Sequence, residues 1–369
     1  MTRFLSACAI TALLYTPAFA HHGTNGQFDS TKIIEIGGTI TKMAFVNPHS
    51  YVYFDVTMPD GEVENWNCEL RASSVLRRSG WTQEMFAEGT HIDIVGVASR
   101  RDPQGCYVET ISFNGSAPIK RYGKINPEML KPIDAPRPLV TEWGTPNFAG
   151  DWAATQRDHG SITASDAKKI DPADLEAIVA QSDPTETHAS RWRNGETVAY
   201  TDAGKAFVAK VASESVERVT GRLDCTPRDF FFDWTYDQPT NRVEQTKDEI
   251  ILRYGFMDTV RTIHIQDNFP EEITPSWAGY SIGAWDGDTL VVQTKGFEAS
   301  GSNRGGYHSE AYETTERFSL GKDGKSLSRS FEARDPLFWQ KGESQSGRDT
   351  IYPSEVDYQP YNCDDRSFE

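Results

Sequence analysis

The sequence lacks the short motifs of several common enzyme classes. It contains no G-x-G-x-x-G dinucleotide loop, no Walker phosphate loop and no H-E-x-x-H zinc helix. Cysteine is scarce, with 5 in 369 residues, and no two cysteines have the C-x-x-C spacing of structural zinc sites. These absences argue against nucleotide-dependent and zinc-peptidase chemistry, and they predict a protein without an organic cofactor.

Basic residues are also in short supply. The chain has 37 Lys and Arg against 54 Asp and Glu, a formal net charge of -17. Nucleic acids and anionic membrane surfaces attract basic patches, so neither is an expected partner. Beyond residue 20 no apolar run approaches the length of a membrane helix, which predicts a protein without membrane insertion.

The first twenty residues have the pattern of a secretory signal peptide. Arg3 supplies a positive charge, Phe4 to Tyr15 is apolar, and Ala18-Phe19-Ala20 has the small-x-small pattern of a cleavage site. We therefore expect cleavage between Ala20 and His21 and a periplasmic or secreted protein.

Removal of this leader leaves four cysteines, Cys68, Cys106, Cys225 and Cys363. An even number in an exported protein is typical of disulfides. Three pairings are possible, and the division into domains described next favours Cys68 with Cys106 and Cys225 with Cys363.

The chain is expected to be mainly β, with two domains. Residues 21–118 show three strand segments, a short helical insertion and two more strands, the order of a five-stranded oligonucleotide/oligosaccharide-binding (OB) barrel. Residues 119–147 carry five prolines and form the predicted linker. Residues 148–369 are interpreted as a larger lipocalin-like antiparallel β-barrel with short helices.

Several local signals support the larger barrel. Seven strand segments lie between Arg242 and Ala333, and Asp286-Gly287 has the composition of a hairpin turn. Gly150-Asp151-Trp152 would begin the first strand. Short helices are predicted from Asp171 and after Asp202.

Several longer motifs resemble two families of exported bacterial proteins without an assigned function. "AHHG", "VNPHSYVYFDV" and "IDIVGVASR" resemble a small-barrel family, and "SIGAWDGDTLVVQTKGF" resembles a second family with a lipocalin-like barrel. The chain thus looks like a fusion of the two families. The resemblance implies the compartment and the folds, and it implies no activity.

Histidines near the expected mature amino terminus are candidate copper ligands. An amino-terminal His21 can chelate Cu(II) through its α-amine and ring nitrogen, and His22 or His49 can add another imidazole. Nitrogen donors in tetragonal geometry suit Cu(II). The alternative is that His21 and His22 lie on a frayed terminus and that His49 belongs to a turn.

The larger barrel contains candidate residues for acid–base chemistry. His308 and Glu310 are two positions apart and share a face if that segment is extended, and Arg261 could stabilise an oxyanion. Candidate ligand contacts are Trp285, His264, Glu316 and Arg317. The alternative is that Arg317 pairs with Glu310 or Glu316 and that His308 forms a hydrogen bond with a loop.

Three functional hypotheses remain from the sequence. The first is binding of a small, partly apolar molecule in the larger barrel, with possible conversion of it as a lyase, hydratase, cyclase or isomerase. The second is a copper protein for redox chemistry or metal delivery. The third is a non-catalytic module that binds a glycan or a protein partner. Whether the protein is an enzyme is left open.

Overall fold

The computed structural model describes residues 27–121, 123–125, 138–155, 198–212, 225, 227, 231, 233–236, 239–302 and 306–364. Within these ranges the chain is mainly β, as predicted, with seventeen strands and two α-helices. None of the described helices is long and apolar enough to cross a membrane.

The first sheet forms the smaller barrel. Its strands β1 to β6 span Phe28–Ala44, Tyr51–Thr57, Val63–Glu69, His91–Ser99, Gly105–Phe113 and Ile119–Lys120. The order in the sheet is β3-β2-β1-β4-β5-β6, and an additional parallel pairing of β3 with β5 closes the first five strands into a ring. Helix α1, Ser73–Arg78, and a 3-10 turn lie between β3 and β4. The predicted five-stranded barrel with a helical insertion is confirmed, and β6 is an addition to it.

The interior of this smaller barrel is apolar. In β2, Val52, Phe54 and Val56 are buried, because alternate side chains of a strand point to the same side. Cys68 on β3 lies opposite Val52 and is bonded to Cys106 on β5, so that the disulfide crosses the pairing that closes the ring.

A second, closed barrel has nine strands. They are β7 to β12 at Gly150–Ala153, Asn241–Gln245, Glu249–Arg253, Val260–Ile265, Tyr280–Asp286 and Thr289–Lys295, then β15 to β17 at Glu313–Leu320, Leu327–Arg334 and Gln345–Pro353. The order around the barrel is β10-β11-β12-β15-β16-β17-β7-β8-β9. The strands β13 (Ser300–Ser302) and β14 (Gly306–His308) pair with each other between β12 and β15. The expected larger barrel is confirmed, and β17 is a strand that the sequence analysis did not predict.

The larger barrel is not purely antiparallel, because β10 and β11 pair in parallel. Each antiparallel neighbour reverses the strand direction, and a closed ring returns to its starting direction only after an even number of reversals. Nine strands therefore need at least one parallel pair. The same rule explains the single parallel pair in the five-stranded barrel.

Two of the other local predictions are confirmed, and one lies outside the described residues. The turn at Asp286-Gly287 is confirmed, with Gly287 at a φ of +59° that favours glycine. The helix expected after Thr201 is present as α2, Asp202–Ala212, and its Phe207 packs on Phe338. The helix predicted from Asp171 lies outside the described residues.

The interior of the larger barrel has an apolar end and a charged layer. The apolar end is built from a cluster of buried residues that includes Phe148, Trp152, Val243, Ile250, Leu290, Phe318, Leu327 and Ile351. Four charged side chains, Arg261, Glu316, Arg329 and Asp349, are at most 5% exposed in the other layer. Unpaired charges would be very costly there, so their pairing decides whether this layer is stable.

The carboxyl-terminal segment joins the two barrels. The side chain of Asn47 donates to the carbonyl of Tyr361 at 2.5 Å, and the backbone N–H of Asp364 donates to the carbonyl of Asn47 at 2.6 Å. Arg78 on α1 forms an ion pair with Glu355 at 3.0 Å. The second disulfide, Cys225–Cys363, fixes the same segment, and it completes the predicted pairing.

Candidate functional site

The loop between β1 and β2 places His49 against a buried carboxylate. Nδ1 of His49 lies 3.3 Å from Oε1 of Glu69, and the Tyr51 hydroxyl donates to Oε2 of Glu69 at 3.1 Å. Tyr51 and Glu69 are cross-strand partners in β2 and β3, so the strand register brings them together. The Glu69 side chain is 5% exposed and that of His49 is 26% exposed. The contact is within ion-pair distance, although it is not a well-aligned hydrogen bond.

The chain enters the smaller barrel beside this cluster. Glu69 is the partner of Tyr107 in the parallel pairing of β3 with β5, and the Tyr107 ring stacks on Phe28 with ring centroids 5.1 Å apart. Phe28 is the first residue of β1. Predicted ligands His21 and His22 lie outside the described residues. The described part of the chain contains no group of three or more His, Cys, Asp or Glu side chains arranged to hold a metal ion.

The asparagine of the N-P-H motif has a different role from the histidine. Asn47 is 1% exposed, and besides its bonds to the carboxyl-terminal segment its Oδ1 accepts from the backbone N–H of Ser74 at the start of α1. Buried amide groups need such partners. Within one short motif, Asn47 thus connects the barrels while His49 faces Glu69.

In the larger barrel, Glu316 forms an ion pair with Arg261 and not with Arg317, the partner that the sequence suggested. Arg261 also donates to Oγ of Ser281 at 2.9 Å and to Oγ1 of Thr294 at 2.8 Å. Arg329 lies within 3.2 Å of Glu316 and 2.5 Å of Asp349. Burial alone would lower the pKa of Arg329, but Asp349 and Glu316 together raise it above its ordinary value. The two arginines and the two carboxylates therefore form one connected network of ion pairs.

Two hydroxyl groups in this layer lack good hydrogen bonds. The hydroxyls of Tyr254 and Thr314 are buried and form no well-aligned hydrogen bond with any described residue, although the Tyr254 hydroxyl lies beside the Arg261 guanidinium. Burial raises the pKa of Tyr254 to about 12, and the nearby charge of Arg261 offsets this effect only in part. Buried polar atoms without partners are uncommon in folded proteins and often mark the place of a water or a ligand.

His308 and Glu310 do not come together. β14 ends at His308 and the chain then turns, so the extended conformation that would have put both on one face is wrong for this segment. The His308 ring is buried and stacks on Tyr312 at 4.4 Å, whereas Glu310 is exposed. Burial lowers the pKa of His308 to about 4, so the ring is neutral near pH 7.

The remaining predicted ligand contacts lie on different sides of the barrel wall. Trp285 packs with the apolar interior and lies 5.3 Å from Phe148. His264 is partly exposed, and its Nδ1 lies 3.1 Å from Oε1 of Glu249. The Arg317 side chain is 52% exposed and points to Asp286 at 3.6 Å. The predicted set is therefore split between the interior and the outer surface.

One enzyme-like pattern has a structural explanation. Gly279-Tyr280-Ser281-Ile282-Gly283 spells G-x-S-x-G, the pattern of a nucleophile elbow, which places serine on a strand-to-helix turn. Here Ser281 lies within β11, is fully buried, and bonds to Arg261 and Thr294. This serine supports the charged layer.

Sequence reasoning missed Glu69, Arg329 and Asp349. The alternation of side chains along a strand could have predicted that Arg329 and Asp349 are buried. Arg329 shares a strand face with Leu327 and Phe331, and Asp349 shares one with Ile351. No comparable signal identified Glu69, since its burial depends on the loop that carries His49.

Two grooves lie on the outer surfaces of the barrels. One, of about 400 Å³, is lined on the smaller barrel by residues that include Lys42, Tyr53, Asn65 and Asn67. The other, of about 570 Å³, lies across β12, β15, β16 and β17 of the larger barrel.

Fold and disulfides together define a mainly β protein of two barrels with two disulfides, Cys68–Cys106 and Cys225–Cys363. The disulfides are consistent with an exported protein. Residues 10–106 match the model of a family of unknown function, DUF6152. The matched segment includes both histidine motifs, Glu69 and most of the smaller barrel. A comparison with curated proteins gives no match.

Proposed function

We propose that the protein is an exported copper-binding protein, with His49 as one ligand and the mature amino-terminal His21, together with His22, supplying the others. The observation that carries this proposal is the position of the buried Glu69 carboxylate, whose Oε1 lies 3.3 Å from Nδ1 of His49. Histidines that bind metals usually have such a partner on their other ring nitrogen, because it fixes the tautomer and the ring orientation.

The path of the chain is compatible with this arrangement. Phe28 is stacked on Tyr107, the strand partner of Glu69, so β1 starts near the His49 cluster. His21 is seven residues before Phe28, and an extended segment of that length reaches about 20 Å or more. The proposal requires this segment to bring His21 to the loop that carries His49.

Copper fits the chemistry of these donors. An α-amine and imidazole nitrogens are preferred by Cu(II) over hard ions such as Mg²⁺ or Ca²⁺. The net charge of -17 favours the approach of cations in general. In the proposal, signal-peptide cleavage after Ala20 creates the α-amine ligand, and the role of the bound metal is delivery or redox chemistry.

The test compares two histidines that each have a carboxylate partner. His49→Ala should weaken Cu(II) binding by the processed protein, and Glu69→Gln should weaken it by about 10- to 100-fold while His49 is retained. His91→Ala is the matched control, because His91 lies 3.4 Å from Asp93 on the same barrel but is half exposed. Competition titrations give the affinities, and electron paramagnetic resonance reports the number of nitrogen ligands. Equal affinities for the His49→Ala and His91→Ala proteins would refute the proposal.

A second candidate function is binding of a small, partly apolar molecule in the larger barrel. Its support is the pair of buried hydroxyls, Tyr254 and Thr314, beside the ion pair of Arg261 with Glu316. A bound molecule with a polar group could complete their hydrogen bonding. Ligand-dependent melting of the wild type that is lost in Tyr254→Phe would support this function, whereas equal melting shifts would argue against it. Conversion of that molecule is not part of the proposal, because His308 and Glu310 are separated.

A further inference from the structure

The groove on the outer face of the larger barrel has an ordered arrangement of polar side chains. Gln293, Thr315, Glu332 and Ser346 are successive cross-strand partners on β12, β15, β16 and β17. All four line the groove of about 570 Å³. Neighbouring strands are about 4.8 Å apart, so this row of amide, hydroxyl and carboxylate groups extends over about 15 Å.

Cations flank this row, although the whole chain is strongly acidic. Lys295, Arg317 and Arg334 line the groove against two carboxylates, Glu313 and Glu332. The local balance of +1 contrasts with the net charge of -17. An anionic ligand is therefore less disfavoured at these lining residues than the charge of the whole chain would suggest.

Among these cations Lys295 is the best placed to bind an anion. Its Nζ lies 4.3 Å from the centroid of the Phe269 ring, and it forms no ion pair with any described residue. In contrast, Arg334 donates to Glu332 at 3.0 Å, and Arg317 lies near Asp286.

The barrel closure restricts the kind of ligand. Extended peptides commonly bind by adding a strand to a free sheet edge. The nine strands form a closed barrel, so each has neighbours on both sides and offers a ligand only side chains here. A row of hydroxyl, amide and carboxylate groups beside an unpaired ammonium group suits a ligand with many hydroxyls and a carboxylate.

We infer that the outer groove between Lys295 and Arg317 binds an acidic oligosaccharide, one that contains uronic acid residues. The carboxylate of the sugar would pair with Lys295. Its hydroxyls would bond with Gln293, Thr315 and Ser346. This site is on the larger barrel and does not depend on the copper proposal.

The probe for the test is tri-galacturonate, titrated calorimetrically into the full-length processed protein with EDTA present, so that bound copper does not contribute. Lys295→Ala should weaken binding by about tenfold, since a charge-assisted hydrogen bond is lost, and Lys295→Arg should retain it. Lys247→Ala, which removes the same charge from an exposed turn, is the control and should bind as the wild type does. Maltotriose, a neutral trisaccharide, should bind much more weakly.

Three results would overturn the inference. They are no heat of binding with millimolar tri-galacturonate, equal affinities for the Lys295→Ala and Lys247→Ala proteins, and equal affinities for tri-galacturonate and maltotriose. Circular dichroism of each variant checks that the fold is intact. Since Lys295 is only partly buried, its replacement should leave the fold unchanged.

Discussion

The two barrels close in the same way but place their charged groups differently. Each has an odd number of strands and one parallel pair. The interior of the smaller barrel is apolar, and its buried carboxylate, Glu69, lies on the opposite strand face and faces His49. The larger barrel instead encloses two arginines and two carboxylates that neutralise one another. The comparison shows that burial alone does not mark a functional charge, because the buried carboxylate faces a partly exposed imidazole in one barrel and buried arginines in the other.

The largest effect should come from breaking the charged layer of the larger barrel. Arg329→Met leaves Glu316 and Asp349 without one of their partners in a buried position, which should cost about 3 to 5 kcal/mol in the free energy of unfolding. Arg253→Met is the control, because Arg253 is partly exposed and pairs with Glu244 at 2.9 Å, and its loss should cost about 1 kcal/mol or less. Urea unfolding measures both values. Similar losses in the free energy of unfolding for the two variants would show that the charged layer stabilises the protein no more than an exposed ion pair does.

The next largest effect is a dependence of stability on pH through His308. Burial lowers its folded-state pKa to about 4, below the unfolded value of 6.5. As the pH falls through 6.5, the unfolded chain takes up a proton before the folded chain does, so the free energy of unfolding decreases from pH 7 toward pH 4. Between pH 7 and pH 5 this decrease should amount to about 2 kcal/mol.

His308→Phe keeps a ring against Tyr312 but cannot take up a proton. Its stability should therefore fall less than that of the wild type over the same pH range, by about 2 kcal/mol. Chemical unfolding at the two pH values measures the difference. An identical pH dependence in wild type and variant would show that His308 is not buried in its neutral form.

A smaller effect is expected at the junction of the barrels. Asn47→Ala removes the hydrogen bond to the Tyr361 carbonyl and the acceptor for the Ser74 N–H, at a cost of about 1 to 2 kcal/mol. Because this bond is one of the contacts between the barrels, calorimetry should show one sharp unfolding transition in the wild type and a broader or divided transition in the variant. Asn65→Ala, which removes an exposed bond to Asp55, should keep a single transition. A single transition in both variants would mean that the barrels are coupled by other contacts.

Much of the fold could be predicted because alternation, turns and cysteine number are local or countable signals. The strands between Arg242 and Ala333 and both disulfide pairs are confirmed. Strand β17 was missed because its polar outer residues, Ser346 and Arg348, hide the buried Asp349 and Ile351. The pairing of the cysteines was inferred from the predicted division into domains. The boundaries of those domains stay a prediction.

The sites were less predictable, because they depend on contacts between distant segments. His49 was selected from its motif, but its partner Glu69 is twenty residues away and was not. Arg261 and Glu316 were selected as ligand-binding or catalytic groups, and the structure pairs them with each other. A charged residue on a strand has the same sequence pattern whether it forms an ion pair or binds a ligand. Only the packing around the residue distinguishes the two roles.

The most direct test of the copper proposal is the Cu(II) affinity of protein processed to begin at His21, compared with protein that carries one additional alanine before His21. The proposal predicts tight binding of one Cu(II) per chain in the first protein. In the second protein the α-amine and the His21 ring no longer belong to the same residue, so binding should be much weaker. Weak and equal binding in the two proteins would contradict a copper site at the amino terminus and would leave the Glu69–His49 pair as a structural contact.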